Sequence, residues 1–448
     1  METNKPRSRE RYIYDAIYGK IYFPDYLWEV VVVPEIQRLR EVRLCNINSL
    51  DLTGGANINR YEHAIGTAHL ALKCMDNWPF YVPIDKKEKR LVVLAALMHD
   101  VISGAFGHSL QYIEAKEGFQ HEKSLDSVLL NSGTNEYPYK VAGVEQVFLG
   151  APFQLVNKLT HEEIERLSRI IGGSDRLSPL ISGTMDLDNL DNVYRLAYHV
   201  GLINNAKAAL ELASTMYLKE GTLCIPKEQH WCVSEWFETR SKLYKLLLLN
   251  PIEFSAKLML SEAIEIAKAE SPGIVKWKYV DFELLEKLRS ASSESSLIIK
   301  RLMTGDLYGC LSIYSSTFVE KSKVFENKEN RTSIEHKLSE GIRIYISKKT
   351  GFSRFKSIQI GIHSILDVNK TERAIKFLDE DGVEMSVGRN SRKFYIGVFI
   401  KNSDFSVQSL LKVPEKLLKL IEAYVKKELI NIIEDENLVE IQQYAEVD

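Results

Sequence analysis

At 448 residues the chain is long enough to bury a large core and to hold two domains, or one large domain with a substantial appendage. A hydrophobic share of 45% and a charged share of 27% are those of an ordinary globular protein, and a net charge of −3 argues against a broad nucleic-acid-binding surface. Five scattered cysteines (Cys45, Cys74, Cys224, Cys232 and Cys310) form no CxxC pair, residues 1–11 lack an apolar signal core, and no apolar stretch is long enough to span a bilayer, so a cytoplasmic protein with reduced thiols and no membrane partner is expected.

Short apolar runs over residues 10–60 are punctuated by Gly19, Pro24 and Pro34, and a helical segment is expected over Glu35–Arg40. Gly54 and Gly55, with Asn57 and Asn59, mark a loop before a helical pattern over Arg60–Trp78 that carries His63 near its start. The basic cluster Lys86–Arg90 could hold phosphates but reads first as a solvated loop, ahead of an apolar run, Leu91–Met98, long enough for a buried helix. That run ends in His99 and Asp100, where Gly104 and Gly107 break the helical pattern. An imidazole and a carboxylate side by side at the rim of a core suit a divalent ion that takes mixed nitrogen and oxygen donors, such as manganese, iron or zinc, and suit magnesium less well.

A loop with His108 follows, then a helix is expected from about His121 and Glu122 to Leu130. Thr160 and Glu163 have the spacing of a capping box, which gives His161 a structural explanation. Further on, helical spacing aligns Asp188, Asn192, Arg195 and His199 along one side, with Leu187, Leu190, Tyr194 and Tyr198 elsewhere. The helix dipole accounts for two of the three aspartates at the head of this helix (Asp186, Asp188 and Asp191), and metal ligation by one is the sharper reading. Ser234–Ala269 is strongly helical and carries Arg240. After about residue 310 the composition changes: residues 320–335 read as a linker or surface loop, Ile342–Ile346 and Phe394–Ile400 as strands, and Val413–Ile433 as a closing amphipathic helix. The expected fold is mostly α, a helical bundle over residues 1–310 followed by a smaller mixed α/β region over residues 311–448. No internal repeat, Walker loop or dinucleotide fingerprint occurs.

His63, His99, Asp100 and Asp188 thus stand in the order His…His-Asp…Asp on helical, largely apolar segments. That order resembles the signature of the HD superfamily of metal-dependent phosphohydrolases, and the likeness is closest to the dNTP triphosphohydrolase branch, which includes the dGTPases and the SAM-and-HD-domain dNTPases. It begins at Tyr14–Ile21, continues through Gln37–Arg40, Asn59–Gly66, His99–His108, His121–Glu122 and Asp186–Arg195, and ends near Phe237–Arg240. The resemblance implies a helical HD domain in which His63, His99, Asp100 and Asp188 hold a divalent ion (manganese, iron, magnesium or zinc). It would set His108 and His121 beside the substrate phosphates, Glu122 orienting His121, and Arg60 and Arg240 on the triphosphate. It further implies attack at the α-phosphorus of a nucleoside triphosphate, homo-oligomers, and a nucleotide effector for which the region after residue 310 is a candidate. A part in dNTP-pool control or antiviral nucleotide depletion is compatible with it.

The chain departs from the branch at four positions. Ser103 stands where a further histidine is common, Gln111 in place of a carboxylate, Asn192 in place of an aromatic residue, and Leu196 in place of an acid. In the family the last two positions face the sugar. An HD phosphodiesterase or nucleotidase, favoured by Asn192 and Leu196, and a nucleotide sensor with little turnover, favoured by Ser103 and Gln111, are therefore the alternative readings.

Overall fold

The computed structural model describes residues 11–45, 57–107, 125, 158–274, 279–350, 358–369, 371–402 and 413–441. Among them the fold is mostly α. A hairpin of β1 (Tyr12–Asp15) and β2 (Gly19–Tyr22) precedes two short helices, α1 (Asp25–Val31) and α2 (Pro34–Gln37). The helices that build the first core are α3 (Arg60–Asp76), α4 (Lys86–Met98), α5 (His161–Ile171), α6 (Leu187–His199), α7 (Lys207–Thr215) and α8 (His230–Leu249).

Their starts are written in short-range chemistry. Asn59 caps α3 by accepting the Glu62 amide at 2.9 Å, and Asp186 caps α6 by accepting the Asn189 amide at 2.7 Å. Thr160 and Glu163 form the expected capping box at the head of α5. A second capping box, Asp85 with Glu88, starts α4 at Lys86, so the basic cluster Lys86–Arg90 is the first turn of the buried helix rather than a loop. Every residue from Leu91 to Met98 is buried.

The run read as one helix over Ser234–Ala269 is two, because Asn250 caps a new helix, α9 (Pro251–Glu270), by accepting the amides of Ile252 and Glu253. Helices α10 (Asp281–Ala291) and α11 (Ser293–Met303) pack beside it in a second core.

The region after residue 310 holds more strands and more helix than its composition suggests. Residues 322–350 are helical, as α12 (Ser322–Glu326) and α13 (Lys328–Thr350), where a linker and a strand at Ile342–Ile346 were expected. Ile342, Ile344 and Ile346 mimic strand alternation, but Leu338, Ile342 and Ile346 are buried at a spacing of four while Ile344 stays exposed, which is the face of a helix. The closing helix, α14 (Glu415–Ile433), is followed by one more strand, β10 (Val439–Ile441).

This strand edges an antiparallel sheet of order β10-β5-β9-β6, in which β5 is Gly309–Ser316, β6 Ile360–Val368 and β9 Arg392–Ile400. Phe394, Ile396, Val398 and Ile400 face a third core against α13 and α14, while Tyr395 and Phe399 face the second core, so β9 is covered on both sides. A second small sheet joins early and late chain. Strands β3 (Tyr217–Lys219) and β4 (Thr222–Cys224) meet β7 (Ile375–Leu378) and β8 (Glu384–Val387) through parallel pairing of Cys224 with Leu378. Ile375 and Phe377 are thereby buried in the first core.

Candidate metal centre

Three helices bring His63, His99 and Asp188 together although 125 residues separate the first from the last. His63 lies in the first turn of α3, His99 caps the C-terminal end of α4, and Asp188 lies in the first turn of α6. The Nε2 atom of His63 is 3.1 Å from that of His99 and 2.9 Å from Asp188 Oδ1, and one donor atom from each residue lies within 4.8 Å of the others. The far side of each ring is fixed. His63 Nδ1 lies 2.7 Å from Asp191 Oδ2, and His99 Nδ1 lies 2.8 Å from the Ala96 carbonyl. Both acceptors hold the proton on Nδ1 and turn the Nε2 lone pair inward, as metal-ligating imidazoles require.

Burial opposes charge on the two rings. At His63 the carboxylates of Asp188 and Asp191 outweigh it, and at His99 those of Asp100 and Asp188 do so, raising His63 above its usual range and His99 to about 10. Burial also raises Asp186, with help from the Asp188 charge, to about 7. The cluster therefore demands positive charge at the point where the imidazole nitrogens converge. Two imidazoles and a carboxylate pre-set in this way fit a divalent ion.

Asp100 stands beside the three rather than fully among them. Its Oδ1 accepts the Ser103 hydroxyl at 2.7 Å and pairs with Arg60 Nη1 at 2.5 Å, while its Oδ2 lies 3.6 Å from His99 Nε2. Ser103, at the position where a further histidine is common in the branch, thus fixes the carboxylate, and its carbonyl accepts from the buried Arg38. Arg60 is held over Gly107, whose φ of +50° suits glycine and where a Cβ would sit 2.3 Å from the guanidinium.

The rings face a cavity of about 430 Å³ whose wall also carries Arg60, Asn192, Leu196, Arg240, Lys257 and Arg373. Arg240 is buried on α8, its guanidinium carbon 4.4 Å from the centre of the Tyr244 ring. Burial, with Arg373 adding to it, lowers the affinity of Arg240 for its proton. Asn192 Oδ1 is buried and has no hydrogen-bond partner among the described residues. His108, His121 and Glu122 lie outside the described residues.

Four contributors carried no site role in the sequence reading. Asp191, grouped there with the aspartates at the helix head, is fully buried and holds both His63 and Arg195, whose Nη2 also pairs with Asp15 at 2.9 Å. The close approach requires Gly66 on α3, where a Cβ would meet Asp191 Oδ1 at 2.0 Å. Asp191 and Arg195 four apart on one helix were a usable signal. Asp281, Lys257 and Arg373 had none, because only folding brings them near. Asp281 accepts the amides of Arg43 and Phe106 and so ties α10 to the loop after Asp100.

Residues 60–179 match the HD domain family. The chain is 24% identical over 279 residues to a deoxynucleoside triphosphate triphosphohydrolase SAMHD1 homolog of Dictyostelium discoideum, covering 57% of this chain and 49% of that one. It is 23% identical over 283 residues to the deoxynucleoside triphosphate triphosphohydrolase SAMHD1 of Mus musculus, covering 56% and 43%. The chain thus spans about half the length of these curated relatives. Two solved structures share the fold, each with a TM-score of 0.58. A phosphohydrolase from Bacteroides thetaiotaomicron is 17% identical and covers 86% of this chain, and a hypothetical protein from Aquifex aeolicus is 18% identical and covers 92%. No helix among the described residues is long and apolar enough to cross a membrane. Signature, fold and relatives agree: the chain carries an HD domain and is a distant homologue of the SAMHD1-type dNTP triphosphohydrolases and other HD phosphohydrolases.

Proposed function

We propose that the chain hydrolyses deoxynucleoside triphosphates to deoxynucleoside and tripolyphosphate at a divalent ion held by His63, His99 and Asp188, with Asp100 completing the set. The observation that carries this reading is the convergence of two Nε2 atoms and the Asp188 carboxylate on a cavity whose wall holds Arg60 and Arg240. A divalent ion at such a site lowers the pKa of bound water and neutralises phosphate charge, and mixed imidazole and carboxylate donors suit manganese, iron or zinc.

The chain's own residues divide the remaining work. Asp191 and the Ala96 carbonyl keep His63 and His99 in the tautomer that presents Nε2. Arg60 and Arg240 match phosphate oxygens and orient the triphosphate. By the family resemblance Asn192, whose Oδ1 has no hydrogen-bond partner among the described residues, would face the sugar end. By the family resemblance His108 and His121 stand beside the phosphates and Glu122 orients His121, with one of the histidines protonating the leaving alkoxide. The relatives named as triphosphohydrolases support the same substrate class.

A second reading, an HD phosphodiesterase or nucleotidase, is favoured by Asn192 and Leu196, which stand in the cavity wall where the branch has an aromatic residue and an acid. Product analysis separates the two. Purified protein is incubated with each dNTP and NTP, singly and in mixtures, with manganese or magnesium. Release of deoxynucleoside and tripolyphosphate supports the proposal, and turnover only in mixtures assigns a nucleotide effector. Inert triphosphates alongside cleavage of a phosphodiester or a monophosphate would replace the first reading by the second.

A further inference from the structure

Arg373 comes from the last quarter of the chain, far outside the matched HD segment, yet it stands in the wall of the same cavity as His63, His99 and Asp188. Its position is firmly built. Immediately after it, β7 pairs in parallel with β4, the Ile225 amide donates to the Leu378 carbonyl at 2.8 Å, and Phe377 packs in the first core with its ring 5.1 Å from that of His230. On the other side of the hairpin Gly388 takes a φ of +77° and lies so close to α8 that a Cβ would meet the Phe237 ring at 2.4 Å. Phe237 is one helical turn before Arg240, so the hairpin is seated beside the cavity's other arginine.

The charge of Arg373 is left for the cavity. Its neighbour Glu372 is taken by Arg389 and Lys393. Arg373 itself donates one hydrogen bond, from Nη1 to the Thr184 carbonyl at 2.9 Å, and among the described residues no carboxylate lies within ion-pair distance of it. A guanidinium has five donors and a geometry matched to phosphate oxygens. Arg240 and Arg373 stand in one cavity wall, Arg373 with no acid partner among the described residues, and the repulsion between two guanidiniums there favours a bound anion.

We infer that Arg373 is a phosphate-binding residue of this cavity, gripping the polyphosphate arm of the substrate together with Arg240, so that the β7–β8 hairpin is part of the active site. The inference rests on the proposed triphosphate substrate and adds to it a residue and a second chain segment.

The test uses the full chain loaded with manganese, as wild type, Arg373→Ala and Arg373→Lys. Binding of inorganic tripolyphosphate is measured by calorimetry and dNTP hydrolysis by product release. Arg373→Ala is expected to weaken tripolyphosphate binding and raise KM by about tenfold or more, with kcat much less affected, unchanged manganese stoichiometry and an unchanged urea midpoint. Arg373→Lys should recover part of the affinity. An alanine variant that binds tripolyphosphate as tightly as wild type overturns the inference, even where dNTP hydrolysis is intact. Arg373-dependent tripolyphosphate binding without release of deoxynucleoside supports the inference and overturns the hydrolysis reading alone. A wild-type protein that binds no tripolyphosphate overturns the inference, while the hydrolysis reading stands or falls on release of deoxynucleoside.

Discussion

Asp191→Asn removes one negative charge from a fully buried position and leaves the shape of the side chain almost unchanged. The carboxylate serves three donors. Its Oδ2 accepts from His63 Nδ1 at 2.7 Å and from Arg195 Nε at 2.9 Å, and its Oδ1 accepts from Arg195 Nη2 at 3.0 Å. An amide has a single acceptor oxygen. Placed where Oδ2 stood, it keeps His63 in the metal-binding tautomer but points an NH2 group at Arg195 Nη2, which still has Asp15 at 2.9 Å. Loss of a carboxylate behind a ligating histidine weakens metal binding by roughly 10-fold to 100-fold, about 1.4 to 2.7 kcal/mol. The asparagine belongs at the lower end of that range. Asp191→Ala belongs at the upper end, because His63 Nδ1 then has only the Thr67 hydroxyl at 3.4 Å. Breaking a buried ion pair costs about 3 to 5 kcal/mol, and the remaining Asp15 partner sets the asparagine variant near or below the lower figure. The assay is competition for manganese against a fluorescent chelator, run beside equilibrium urea unfolding of the same preparations. A folded alanine variant with wild-type manganese affinity would refute the orienting role of Asp191.

Removing the ion by chelation should lower the thermal midpoint, since a ligand at a hundred times its dissociation constant stabilises the native state by about 2.7 kcal/mol; an unshifted midpoint after complete metal removal would contradict a metal site in the core. Asp281→Ala leaves the Phe106 and Arg43 amides without their carboxylate at a buried junction and should destabilise the chain by about 2 to 3 kcal/mol in urea unfolding, with turnover reduced because the loop after Asp100 loses its tie. A variant matching wild type in both would show that this tie is dispensable. At Glu88, burial is outweighed by Arg166, Arg176 and the capping-box amide, which hold its carboxyl below the usual range. Its contribution is therefore complete above the ordinary glutamate pKa and is lost as pH falls through the lowered value. Urea midpoints of wild type and Glu88→Gln should differ at pH about 6 and converge toward pH about 3, and a gap constant across that range would exclude the ion pairs as its source.

Local chemistry explains why so much of the first core was legible. The Asn59, Thr160 and Asp186 caps act within three residues of themselves, and the apolar run Leu91–Met98 can only be buried. The His…His-Asp…Asp order was equally readable, and three of those four residues form the convergent cluster. Asp100 meets that cluster while bound to Arg60, a pairing that depends on how α3 and α4 pack. Two periods coincide at Ile342–Ile346, whose alternate isoleucines fit a strand until Leu338 one turn earlier is counted with them.

What the sequence by itself determined is the identity of the ligand-type residues, the helices that carry them and the caps that start those helices, because each depends on neighbours within a turn or two. Only the tertiary structure decided that Asp191 stands behind His63, that Asp281 ties the loop after Asp100, and that Arg373 reaches the cavity from a hairpin some 130 residues beyond Arg240. Those positions depend on which distant surfaces pack together, and side-chain packing among three cores leaves no periodic or spacing signal along the chain.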